Sequence, residues 1–231
     1  MVSAIIVAGG SSRRMGFDKI FAPLNGKPVI FWSLAAFQAC PDVDELVVVT
    51  REDRAKEVEQ LAKEEGLTKF SRIVEGGAER HLSVWNGLKS VDPARSRFVA
   101  IHDAARPLIT PKMIAECLGL ARIHGAACCA SPIPDTVKRA SHELLVTDSV
   151  DRQGLWAMQT PQIFSTALIL QAYASLMAHN ELVTDEVSAV QKLGKRVSLL
   201  PNDDYNFKIT FARDLPLAEQ VLDIRAGKIG A

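Results

Sequence analysis

Short apolar runs alternate with longer amphipathic stretches through the first half of the chain. Residues 4–8 form a run rich in β-branched side chains that stops at Gly9 and Gly10, as a buried parallel strand does before a tight turn. The same pattern predicts strands at 45–50, 72–74, 97–102 and 126–131, with helices at about 29–39, 52–65 and 80–89 between them. A further helix is entered at Thr110 and Pro111, a capping hydroxyl followed by a proline suited to the first helical position. Such alternation specifies crossover connections and a mostly parallel sheet with helices on both faces. Ligands in these sheets collect outside the carboxyl ends of the strands.

The rhythm breaks after Ser131. Short strand-like pieces at 136–139, 144–147 and 155–158 follow one another with polar turns and no helix, which predicts a protruding β-arm over about residues 132–160. A hairpin of this size buries little by itself, so packing against a second copy of the chain is expected. Helices at about 166–177 and 186–193, a strand at 196–200 and a closing helix at 215–225 restore the α/β pattern. With no internal repeat, low-complexity tract or linker, residues 1–231 read as one α/β domain carrying an arm.

Lys plus Arg equals Asp plus Glu at 27 each, so the chain has no overall basic field to attract nucleic acid, and a small anionic ligand fits better. Cys40, Cys117, Cys128 and Cys129 show no metal or redox spacing and read as reduced core thiols. The longest apolar stretch, around residues 126–130, is far short of a membrane span, and no basic residue precedes the first apolar run; a cytoplasmic protein is expected.

Candidate chemistry begins at AGGSSRRMG, residues 8–16, with Lys19 three positions on. Glycines let backbone N–H groups approach a polyanion, and Arg13, Arg14 and Lys19 place positive charge where a triphosphate would lie. A Walker loop is excluded, since Gly10 and Gly16 are one residue too far apart and Phe17 follows; the dinucleotide fingerprint is absent as well. HDAARP, residues 102–107, follows a strand directly. Asp103 there suits a divalent metal or a hydroxyl and Arg106 a bidentate phosphate contact, unless the two form only a local salt bridge; His102 reads as structural. GGAERHLSV, residues 76–84, would present backbone donors and Ser83 at a helix start, or be an ordinary strand-to-helix turn. Thr136, Arg152, Thr160, Thr184 and Lys208 lie near predicted turns, and Thr184 before two acids also suits a helix cap.

Taken in order, AGGSSRRMG, GGAERHLSV, HDAARPLI, PDTVKR, DRQGLW…QTPQ, TDEVSAV and NFKIT resemble the 2-C-methyl-D-erythritol 4-phosphate cytidylyltransferase family over nearly the whole chain. The resemblance implies a Rossmann-like nucleotidyltransferase fold, a homodimer clasped through the arm, CTP as cosubstrate and Mg²⁺ bound mainly through its phosphates, near Asp103. It implies a nucleotide loop of Ala8, Gly9, Gly10, Ser11 and Ser12, with Arg14 and Lys19 as catalytic cations on the triphosphate. Gly77, Arg80, Ser83, Asp103 and Ala104 would complete the nucleotide site. Asp103, Arg106, Thr136, Arg152, Thr160, Thr184 and Lys208 would surround the acceptor phosphate, Arg152 and Lys208 also being catalytic. Two departures stand out: Gly9 and Ser12 replace the alanine and glycine of the family's usual A-A-G-x-G turn, and TFARDL at 210–215 replaces T-x-P-E-D-L. The implied attacking phosphate, with a second pKa of about 6, needs no general base at neutral pH. A ribitol 5-phosphate cytidylyltransferase and a nucleotide-binding regulator without activity are the alternatives.

Overall fold

The computed structural model describes residues 1–10 and 16–229. Its first strand, β1 (Val2–Val7), is almost wholly buried, as an apolar run flanked on both faces by helices must be. β2 (Pro23–Leu24) and β3 (Lys27–Pro28) form a small hairpin through Asn25 and Gly26, both at positive φ, and deliver the chain into α1 (Val29–Ala39). Then come β4 (Glu45–Thr50), a 3₁₀ turn at Glu52–Arg54, α2 (Ala55–Glu64), β5 (Phe70–Glu75), α3 (Arg80–Ser90), β6 (Phe98–Asp103) and α4 (Pro111–His124). Thr110 Oγ1 accepts the Met113 N–H at 3.2 Å, so the predicted start signal acts as such, and Gly125 at φ +82° ends α4.

β7 (Ala126–Pro132) leads into the arm, where β8 (Val137–Ala140) and β9 (Val146–Val150) pair as a separate antiparallel ribbon. The piece expected at 155–158 behaves differently: it opens β10 (Trp156–Ser165), a ten-residue strand of the central sheet. The polar run Gln159-Thr160-Pro161-Gln162 reads as a turn in sequence, yet the strand carries it through a register shift between Met158 and Gln162. Helices α5 (Thr166–Ala178) and α6 (Glu186–Lys192), strand β11 (Ser198–Pro201) and helix α7 (Asp214–Arg225) complete the described chain.

The central sheet has seven strands in the order β11–β7–β10–β6–β1–β4–β5. All neighbours are parallel except β10, which runs antiparallel to both β6 and β7. Alternation along the strands divides the core: Ala4, Ile6, Leu46 and Val48 pack on one face with residues of α1, α2 and α4, while Ile5, Val47, Val49 and Ile101 meet α3, α5 and α6 on the other. Contact with α3 is close enough that a Cβ on Gly87 would lie 2.8 Å from Ile5 and 2.9 Å from Val49. A third cluster joins the β2–β3 hairpin to α7 through Leu24, Leu108, Ile209 and Val221. Among the described residues, no helix is long and apolar enough to cross a membrane.

Candidate active site

Four strand ends are locked in step at the carboxyl edge of the sheet. The Ala104 N–H donates to Val7 O at 3.0 Å, the Ala8 N–H to Val49 O at 2.7 Å and the Gly76 N–H to Thr50 O at 2.8 Å. This register sets the first glycine turn against the second, with the Ser83 hydroxyl between them: it lies 3.4 Å from where a Cβ on Gly9 would stand and 3.2 Å from one on Gly76. The Gly77 N–H donates to Ser83 Oγ at 3.0 Å, and a Cβ on Gly77 would overlap Leu82 at 2.5 Å. Buried Ser83 therefore shapes the loop, and Gly77 is required by sterics, whereas at Gly9 an alanine methyl would meet ordinary contact distances. Ala8 is buried and Gly10 exposed; Ser11, Ser12 and Arg14 lie outside the described residues.

Asp103, at the last position of β6, is the charged centre of the crevice. Its Oδ1 accepts from Arg80 Nε at 3.0 Å and its Oδ2 from Lys208 Nζ at 2.8 Å, while Arg106 Nε stands 3.9 Å away. Burial alone would raise its pKa, but Arg80, Lys208 and Arg106 outweigh that and hold the carboxyl well below the ordinary 3.8. The local Asp103–Arg106 pair is thus the weakest of three contacts. Arg106 turns its outer nitrogens to main chain, NH1 to Asn206 O at 2.7 Å and NH2 to Met158 O at 3.4 Å. The expected phosphate fork is occupied by carbonyls, because the side chain runs inward behind Asp103.

Lys19 reaches the same place from the far end of the sequence. Its Nζ donates to Ile209 O at 3.0 Å, and the Ile209 N–H donates to Ala105 O at 2.8 Å. One short segment, residues 207–209, consequently carries Lys208 to Asp103 and receives Lys19 while hydrogen-bonded to the HDAARP turn.

Behind Asp103 stands Thr160, buried, whose Oγ1 accepts the Asp103 N–H at 3.0 Å and lies 3.0 Å from His102 Nδ1. His102 Nε2 is 3.2 Å from Arg106 O. A carbonyl only accepts, which assigns the ring proton to Nε2 and leaves Nδ1 to accept from the threonine hydroxyl. Burial brings the His102 pKa from 6.5 down to about 3, against the pull of Asp103, so the ring is neutral and structural. Thr160, expected among the acceptor's neighbours, spends its hydroxyl inside the protein. Thr184 is exposed two residues before α6, and the cap there is Asp185, whose Oδ1 accepts the Ser188 N–H at 3.0 Å. Thr136 and Arg152 are exposed on and beside the arm, with Arg152 NH1 bonded to Pro134 O, and neither joins the Asp103 cluster of its own chain.

Residues the sequence did not flag hold this arrangement together. Glu186, fully buried, takes Arg80 NH1 and NH2 on its two oxygens at 2.7 and 3.0 Å. Asn206 Nδ2 donates to Thr160 O at 2.9 Å. Glu186 was legible in principle: with Val187, Ala189 and Val190 buried, it lies on the inward face of α6, where an acid needs a partner. Among the described residues, no three His, Cys, Asp or Glu side chains converge as a metal cage. The one carboxylate at the centre of the cluster, Asp103, accepts from Arg80 on one oxygen and from Lys208 on the other.

The family model described as "IspD: 2-C-methyl-D-erythritol 4-phosphate cytidylyltransferase" matches residues 2–224. The chain belongs to that family. A 2-C-methyl-D-erythritol 4-phosphate cytidylyltransferase of Caldanaerobacter subterraneus subsp. tengcongensis is 40% identical over 228 residues, covering 96% of this chain and 98% of the relative. Its counterpart in Symbiobacterium thermophilum is 41% identical over 228 residues, covering 97% and 94%. The crystal structure of the Thermus thermophilus cytidylyltransferase superposes with a TM-score of 0.79 at 30% identity, covering 94% of this chain and 97% of that one. The family thus shares the nucleotidyltransferase-like fold described above, with its mostly parallel sheet between layers of helices.

Proposed function

We propose that this crevice performs the transfer for which the family is named: CTP and 2-C-methyl-D-erythritol 4-phosphate give 4-diphosphocytidyl-2-C-methyl-D-erythritol and pyrophosphate, a step in isoprenoid precursor biosynthesis. The observation that carries the site assignment is the meeting of Lys19, Lys208 and Asp103 through residues 207–209, beside two facing glycine turns. An acceptor phosphate is already ionised at neutral pH, so no side chain has to remove a proton. The obstacle is charge: one anion approaches the α-phosphorus of another, and negative charge passes to the departing pyrophosphate. Lys19 and Arg14 would stabilise the triphosphate, and Lys208 the attacking phosphate, each preorganised contact being worth roughly 3 kcal/mol. Lys208 is held by Asp103 and part-exposed, so its ammonium is fixed in place before a ligand arrives.

Mg²⁺, held mainly by the triphosphate in the vicinity of Asp103, would supply further neutralisation of phosphate charge. The second copy of the chain would cover the arm and bring Thr136 and Arg152 to the acceptor, a reading supported by the exposed Leu144, Leu145 and Val146 on the hairpin. Four buried, unbridged cysteines suit the reducing cytoplasm. Release of pyrophosphate from CTP and Mg²⁺ is expected with 2-C-methyl-D-erythritol 4-phosphate and not with ribitol 5-phosphate. Release with ribitol 5-phosphate alone would move the acceptor assignment, and release with neither would favour a nucleotide-binding regulator.

A further inference from the structure

Beneath the crevice, Glu186 grips Arg80 from the side opposite Asp103. Glu186 Oε1 accepts from Arg80 NH1 at 2.7 Å and from the Tyr173 hydroxyl at 3.0 Å, and Oε2 accepts from Arg80 NH2 at 3.0 Å. With both ends of its fork engaged, Arg80 has its Nε edge left for Asp103 Oδ1 at 3.0 Å. The grip is itself anchored, because Gln162 Oε1 accepts the Glu186 and Val187 N–H groups at 3.1 and 3.0 Å, and Gln162 pairs with Ile101 of the strand that carries Asp103. Four elements therefore meet here: α3 brings Arg80, α5 Tyr173, α6 Glu186 and β6 Asp103. Stability does not explain the choice of groups, since a buried ion pair and a buried hydroxyl are commonly no better than apolar side chains of equal volume. Orientation does explain it. In the orientation that Glu186 fixes, Arg80 brings Nε alone within bonding distance of Asp103, on Oδ1, and Oδ2 accepts from Lys208.

We propose that Glu186, held by Tyr173 and Gln162, is a positioning residue for acceptor binding: it keeps Arg80 from taking both oxygens of Asp103, so that Asp103 holds the Lys208 ammonium toward the crevice. With Glu186 neutralised, Arg80 would turn a second donor onto Asp103 and displace Lys208. The inference rests on the assignment of Lys208 to the acceptor phosphate made above, and its test separates the two.

Steady-state kinetics on Glu186→Gln, Tyr173→Phe and Lys208→Ala, each with a melting curve, decide the matter. Glu186→Gln is expected to raise KM for the sugar phosphate about tenfold, the loss of a charge-assisted bond, with KM for CTP within about twofold. Tyr173→Phe removes one of the bonds that hold Glu186 and so loosens its grip on Arg80 without changing a charge, and the same KM should rise about threefold. A merely structural role would lower the melting temperature and the active fraction in both variants while leaving both KM values alone, and that result overturns the inference. If Glu186→Gln does not fold, Tyr173→Phe carries the test by itself. Should Lys208→Ala raise the acceptor KM while the other two variants do not, the positioning role alone falls; should Lys208→Ala leave it unchanged, the assignment of the crevice falls with it.

Discussion

Lys19 shows how a single residue is read in two steps. Its place three residues after Gly16 marks it as a cation near a phosphate turn, but its bond to Ile209 O, 190 positions away, puts it beside Lys208 and the HDAARP turn. Lys19→Ala is expected to cut turnover on the order of a hundredfold while the protein folds. Near-normal turnover with normal circular dichroism would remove Lys19 from the chemistry. Other residues were legible only as types. Asp103 and Lys208 each looked reactive, yet their pairing spans 105 positions and no local pattern announces it. Arg106 and Thr160 sit in motifs that suggest ligand contact, and in the fold they spend their hydrogen bonds on main chain, on the Asp103 N–H and on His102.

Among the elements, α3 matters most because its first turns carry Arg80 and Ser83 while Gly87 settles how near it lies to β1 and β4. A methyl group on Gly87 would meet Ile5 and Val49 below 3.0 Å, with side-chain movement as the relief. Gly87→Ala should therefore cost about 1–3 kcal/mol in denaturant unfolding. An unchanged midpoint would show that α3 has slack. The arm poses the opposite problem, too much exposure: Leu144 and Leu145 are 86% and 64% exposed on a two-stranded ribbon. Sedimentation should give twice the chain mass; a single-chain mass at working concentration would leave Thr136 and Arg152 without a neighbouring site. Strand and helix alternation made most elements readable from the chain itself. β10 was not fully readable, since its polar middle resembles a turn until Gln159, Thr160 and Gln162 are seen to find partners inside.

For the molecule as one body, the buried histidine and carboxylate make folding depend on pH in one direction. His102 protonates near 6.5 in the unfolded chain but at about 3 in the folded one, so its contribution is complete above 6.5 and is lost as pH falls toward 3. Asp103, held below 3.8 by its cations, adds to the loss at the acid end of that window. Unfolding free energy should fall with pH over this range, His102 contributing at most about 1.4 kcal/mol per pH unit, and His102→Gln should flatten the slope. An identical slope in that variant would assign the acid lability to other groups. The alternating elements and the mostly parallel sheet were written into the linear chain, because periodicity, glycine and capping chemistry act over a few residues. Which charges share the crevice was settled only on folding: Arg80, Asp103, Glu186 and Lys208 come from distant parts of the chain, and the sheet register that unites their elements is a property of the packed whole.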